Sequence, residues 1–352
     1  FGGVFADRWP KRRVLLVTNT AAMMQALLLW ILIVTGAIQL WHLYILAILL
    51  GFTNCLYLPA SRAFVIEMVG REDLPNAVAL NSSIANLARI VGPGLGGIII
   101  AASSVTLLFL LNALSFLPVI VGLALIRSSE LHAQALQRSS AGVRQTTWAA
   151  ALREGLTYVW KTPAVLLVIV VVGLVLLFGS NFNVVLPLFA TDVLHVGATG
   201  FGFLSAATGV GALLSTLWLA WSNQKSVIRQ ILIYTLVFAV LEVVFAVSRL
   251  YLLSLLLIAS VGFTEMVFAA QALTALQMIT PDHLRGRVTS VQVLFFDGSL
   301  PLGYLLMGWL AGLYGAPSAM LIGALLSLLV VGAGWLWHKK MEKDVVESVG
   351  SE

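Results

Sequence analysis

The chain has 352 residues, of which 60% are hydrophobic and only 10% charged, with a formal net charge of +5. An average soluble domain carries roughly 25% charged residues, so this composition excludes an ordinary water-soluble globule and points to a chain that folds in a bilayer. The basic surplus sits in short gaps between apolar runs and forms no contiguous basic face with interleaved aromatics, which excludes nucleic acid as a partner.

Apolar runs of about 20 residues, each long enough to cross a hydrocarbon core of roughly 30 Å, predict ten spans. They lie at 14–36, 42–66, 74–101, 105–126, 164–190, 198–221, 228–247, 250–279, 284–313 and 316–338. All ten are expected to be helices, because membrane barrels use strands of about ten residues with alternating polarity. Eighteen of the twenty Lys and Arg residues fall on one side of this arrangement. By the positive-inside rule, the loop at 6–13, the segment 127–163 and the C-terminus are therefore cytoplasmic, with Arg249 on the opposite face and Arg89 inside the membrane. The lone Cys55, within the second span, reads as a small buried apolar residue. His42, His195 and His283 lack the spacing of a metal site.

The chain repeats itself. The stretch GFTNCLYLPASRAFVIEMVGREDLPNAV from Gly51 and the stretch GFTEMVFAAQALTALQMITPDHLRGRV from Gly262 share one plan: an apolar helix, a short charged loop and the start of the next helix. Two similar bundles related by an axis along the membrane normal follow from such a repeat. The expected domains are an N-terminal bundle at 1–126, a cytoplasmic linker at 127–163, a C-terminal six-helix bundle at 164–338 and a tail at 339–352. Four complete helices before the linker, against six after it, give the expectation that about two helices precede residue 1 and that residues 1–5 are the stump of the second.

In chain order, the first motif is GGVFADRWPKRR. Gly3, Asp7, Arg8, Lys11 and Arg12 resemble the signature loop between the second and third helices of the major facilitator superfamily, with Pro10 where the usual second glycine stands. The resemblance implies a loop that latches the two halves on the cytoplasmic side; charge bias alone would give a solvated positive-inside loop. The second motif is RIVGPGLGGIII at 89–100. Gly92, Pro93, Gly96 and Gly97 match the Gly-Pro-x-x-Gly-Gly stretch that the superfamily associates with proton-exchanging exporters. Small residues one turn apart allow close helix approach and the proline bends the helix, so ordinary packing is the alternative. Ser82, Asn86 and Arg89 share one helical stripe. A charge at that depth costs at least about 2.5 kcal/mol, so the stripe either lines a substrate cavity or is satisfied by a buried carboxylate.

Two acids in the second half are candidates for proton coupling. Glu265 and Asp297 are both mid-helix, where low-dielectric surroundings disfavour the charged form of a carboxylate and let a proton switch its charge. Structural pairing with Arg89 is the competing role. The superfamily lines its cavity from the first, fourth, seventh and tenth helices, which favours Glu265 and its repeat counterpart Asn54 over Asp297. Glu242, nearer a helix end, is expected to snorkel to the surface. Asn181, Asn183 and Pro187, in FGSNFNVVLPLF, mark a span able to bend and add two cavity candidates. The run at 146–162 reads as an amphipathic helix suited to lying on the inner membrane surface. That run and RGRVTS at 285–290 resemble the branch that contains the enterobactin exporter and related drug exporters.

The sequence therefore describes an all-α integral membrane protein, and the resemblance implies a secondary transporter of two six-helix bundles, the first incomplete in this chain, expected to work by alternating access as a proton-coupled exporter (antiporter). Its expected partners are protons, a small amphipathic substrate and the lipid of a bacterial inner membrane, and it is expected to act as a monomer without a cofactor. No Gly-x-x-x-x-Gly-Lys-Ser/Thr loop is present to bind ATP, and no enzyme chemistry is visible. An importer of the same fold, or a sensor or scaffold that transports nothing, are the alternatives.

Overall fold

The computed structural model describes residues 9–70, 102–127, 148–222 and 228–350, together with 73, 74, 76, 77, 80, 81, 84, 87, 88, 92, 95, 96 and 99. Continuous helices run over Lys11–Val34 (α1), Leu40–Val69 (α2), Val105–Leu125 (α3), Trp148–Lys161 (α4), Pro163–Phe178 (α5) and Phe182–Asp192 (α6). They continue with Gly197–Ser222 (α7), Ile228–Val247 (α8), Tyr251–Ile279 (α9), Arg285–Tyr314 (α10) and Ala316–Gly350 (α11). Among the described residues there is no strand, and nine helical segments, taking α5 and α6 as one, are long and apolar enough to cross a membrane. The expected span 74–101 lies largely outside the described residues, and its described positions are helical. An all-helical solution follows from the solvent, since hydrocarbon offers no partner to a backbone amide and each span must satisfy its own. Local signals set the ends. Ser104 caps α3 by accepting from the Leu107 amide at 3.3 Å, Pro163 opens α5, and Gly315 ends α10 at a φ of 80°.

The helices separate into two compact units, α1–α3 and α4–α11. In the first, α1 packs on both α2 and α3 around Leu15, Ala60, Phe64 and Leu123. Arg12 closes one end of this unit: its Nε donates to the Leu123 carbonyl and its Nη2 to the Ala124 carbonyl, each at 2.7 Å. These are carbonyls that the end of α3 leaves without intrahelical partners, and a cation there also suits the helix dipole. Cys55 is exposed rather than buried. The correction is physical: a lipid-facing helix surface is as apolar as a core, so apolar character in a span does not imply burial in protein.

In the second unit α5 is central. Val165, Val168, Val172 and Val175 are fully enclosed by α8, α9, α10 and α11, as expected for a helix apolar on every side. α7 and α9 cross most tightly. A Cβ added at Gly211 would meet the Ala259 carbonyl, and one added at Gly262 would meet the Thr208 carbonyl, so backbone lies directly against backbone. The amphipathic helix α4 docks on the unit along one side, while Leu156 and Trp160 stay exposed. Leu152, Gly155 and Val159 turn onto the unit, Gly155 sits against the Arg287 carbonyl, and Glu154 pairs with Arg287 of α10. Part of an apolar stripe can serve for docking on protein, and here Leu152 and Val159 do so.

Candidate functional site

The site begins with a break in a span. The run from Pro163 to Asp192 is interrupted at Gly179, Ser180 and Asn181, between α5 and α6. Asn181 accounts for the break: its side-chain amide donates to the Leu177 carbonyl at 2.9 Å, and its own carbonyl accepts from the Val184 and Val185 amides. A short polar side chain that bonds nearby backbone competes with the helix ladder. Close packing holds the interruption in place, because a Cβ on Gly303 of α10 would meet the Leu177 carbonyl and the Asn181 Oδ1. Pro187, also read as a bending point, lies inside α6 with its carbonyl accepting from the Thr191 hydroxyl at 3.1 Å.

Beside the break a cavity of about 440 Å³ opens within the second unit. Its walls come from Phe182, Asn183 and Leu186 of α6, Phe201 and Thr208 of α7, and Glu265 and Met266 of α9. Glu265, half-buried, accepts a short hydrogen bond from the Ser180 hydroxyl. Asn183 donates to the Tyr304 hydroxyl of α10 at 2.9 Å. A mostly apolar cavity with a few convergent polar groups is the usual form of a small-molecule site, and the carboxylate gives this one a place for charge or a proton.

Of the residues singled out in the sequence, Glu265 and Asn183 meet at this cavity, while Asn181 is buried behind it. Asp297 is exposed on α10 and takes no part in the lining. In the first unit Asn54 is exposed on α2, and Arg12 caps α3 as described. A Cβ at Gly92 or Gly96 would meet no atom of the described residues within 4 Å. Gly3, Asp7, Arg8, Ser82, Asn86, Arg89, Pro93 and Gly97 lie outside the described residues.

Sequence reasoning misread Glu242. It does not snorkel; it is 1% exposed. Proximity to a helix end gives a side chain a route to water only if its face points outward, and this face points into the unit. The buried residues Thr235, Phe238, Ala239, Glu242, Phe245 and Ala246 form one stripe of α8. The signal was present but faint: Thr235 and Glu242 are two turns apart, polar marks on one side of a mostly apolar helix. Ser180 and the α7 wall of the cavity were also missed, because serine and small residues are common in spans for packing reasons alone.

With this geometry established, comparison with known proteins decides the family. A family model described as transmembrane secretion effector matches residues 1–350. The chain belongs to the major facilitator superfamily. It is 29% identical to the multidrug efflux pump Tap of Mycolicibacterium fortuitum over 339 residues, 93% of this chain and 80% of that protein. It is 26% identical to the enterobactin exporter EntS of Shigella boydii serotype 18, over 94% of this chain and 77% of that one. Among solved structures, a bacterial homologue of the human lysosomal transporter Spinster, inward-facing and unoccupied, superposes with a TM-score of 0.71 at 11% identity. That match covers 97% of this chain and 86% of the other. At this identity the match speaks for the fold alone, a multi-pass helical transporter fold. The family and the relatives are transporters, not enzymes.

Proposed function

We propose that this transporter is a proton-coupled exporter of small amphipathic molecules in a bacterial inner membrane, working as a monomer by alternating access. In this reading the segment 127–163 and the C-terminus face the cytoplasm. The observation that carries the reading is the position of Glu265: a carboxylate in the wall of a largely apolar cavity, bonded to the hydroxyl of a broken helix. Phe182, Leu186, Phe201 and Met266 give a lipophilic substrate apolar surface to displace water from. Efflux by Tap and enterobactin export by EntS support the outward direction. The Gly-Pro-x-x-Gly-Gly run at 92–97 supports it as well.

The chemistry is an exchange of charge for a proton. Ionised, Glu265 makes a charge-assisted bond with Ser180, which is stronger than a bond between neutral partners. Protonated, it loses that strength, and the break between α5 and α6 is held less firmly to α9. A proton arriving from outside thereby changes both the polarity of the cavity and the tension on the broken span, and substrate release follows.

The test is efflux of a dye panel and a catecholate siderophore from a bacterial host lacking its own exporters, with and without a protonophore. Protonophore-sensitive efflux is expected, and Glu265→Gln abolishes it at unchanged protein level while Asp297→Asn retains it. Undiminished proton-driven efflux by Glu265→Gln would remove Glu265 from the mechanism.

A further inference from the structure

Among the described ionisable side chains of the second unit that the proposed mechanism leaves unused, Glu242 is the most deeply enclosed. Glu242 is 1% exposed and its Oε2 finds no hydrogen-bond donor among the described residues; the same holds for Oδ1 of Asn181, itself 3% exposed. Both residues line one enclosed cavity of about 10 Å³, roughly the volume that admits a single water molecule. Two acceptors around a water-sized space lack a donor, and an unmet acceptor in such a place is costly.

The surroundings limit what can supply it. Phe178 of α5 and Gly179 and Asn181 of the break approach from one side, Met307 of α10 and Met320 of α11 from the others, and none of these ionises. From α9, Glu265 reaches the break through its bond with Ser180, the residue between Gly179 and Asn181. No cationic side chain is among these neighbours. A metal cation needs about six oxygen ligands to replace its hydration, whereas this cavity offers two oxygen-bearing side chains among phenylalanine and methionine. The occupant that fits is a proton.

We propose that Glu242 is a second proton-binding site, set behind the substrate cavity and linked to Glu265 across the broken helix. The proton passes from hydronium to the carboxylate: one O–H bond of hydronium breaks to leave water as the carboxyl O–H forms, and on release the carboxyl O–H breaks as water takes the proton back. The new hydroxyl is a donor, directly or through one water, for the Asn181 oxygen. The connection to the cavity is three residues long. Ser180 bonds Glu265, while its neighbours Gly179 and Asn181 border Glu242. Gly179 is required for this: a Cβ there would stand 2.7 Å from the Glu242 Oε2 and 2.6 Å from Phe238. Two carboxylates held by adjacent residues of one break are placed to titrate as a pair, and in this proposal a proton at Glu242 changes the ease with which Glu265 keeps its charge. This linkage, though not the site itself, rests on the reading of Glu265 as a proton-binding acid.

The test is infrared difference spectroscopy of the full-length transporter in liposomes, titrated from about pH 4 to about pH 10, with carboxylic C=O bands as the readout. Wild type is expected to show two buried carboxyl transitions. Glu242→Gln removes one and displaces the midpoint of the other by about one pH unit, as coupled sites require. Glu265→Gln removes the other. Asn181→Ala, a milder change should Glu242→Gln fail to fold, keeps both bands and displaces the one that belongs to Glu242. An unchanged spectrum in Glu242→Gln, or in Asn181→Ala if only that protein is obtained, overturns the proposal. A transition that follows sodium at constant pH overturns it too. Full efflux by Glu265→Gln, with the Glu242 band intact, defeats the exporter mechanism and leaves this site standing.

Discussion

Two regions wall the same cavity and are built in opposite ways. Where α7 crosses α9, the contact is backbone on backbone at Gly211 and Gly262. Where α5 meets α6, the helix is interrupted and its free groups are taken up by side chains, Asn181 toward Leu177 and Ser180 toward Glu265. The crossing has no room to adjust, and interfaces of that kind respond to strain by shifting as rigid bodies. The break has hydrogen bonds that can be exchanged one at a time. One region holds the cavity's shape, and in the proposed mechanism the other is where a change in charge is converted into movement.

Substitutions separate the two. Gly262→Val drives a side chain into the Thr208 backbone and is expected to cost about 3 kcal/mol, the upper range for overpacking. It should be visible as loss of monodisperse protein on size exclusion and a large fall in the melting temperature in detergent. Asn181→Ala removes the bond to Leu177 and is expected to cost about 1 kcal/mol, a modest fall in the same melt. Recovery of Gly262→Val protein with unchanged stability would show that the crossing is looser than the contacts indicate. A fall for Asn181→Ala as large as that for Gly262→Val would erase the contrast. Asn183→Ala, which breaks one exposed bond to Tyr304, is expected to change stability by less than about 0.5 kcal/mol. Its effect should appear in substrate affinity rather than in the melt.

Much of this was legible before any coordinates. The spans announced themselves because hydrocarbon demands uninterrupted apolar length, and helix ends such as Val247 and Ile279 coincide with the expected ones. Glu265 was found as an acid in mid-span, where only function or pairing justifies the cost. Glu242 was misjudged because Thr235 is the one further polar mark on its stripe, a faint sign against the apolar residues that fill both the inner and the lipid face of α8. Which way such a helix turns is decided by partners far away in sequence, here the residues of the α5–α6 break. The docking of α4 escaped for a related reason, since an amphipathic stripe reads the same whether it meets lipid or protein.

Arg12 gives a last consequence. Its guanidinium ties the first turn of α1 to the final carbonyls of α3, so two antiparallel helices end at one level. A permanent charge keeps its head group at the water boundary. The level of that one side chain is therefore a depth mark for the whole first unit: wherever the lipid head groups lie, α1 and α3 meet them together, and neither can slide along the membrane normal without the other.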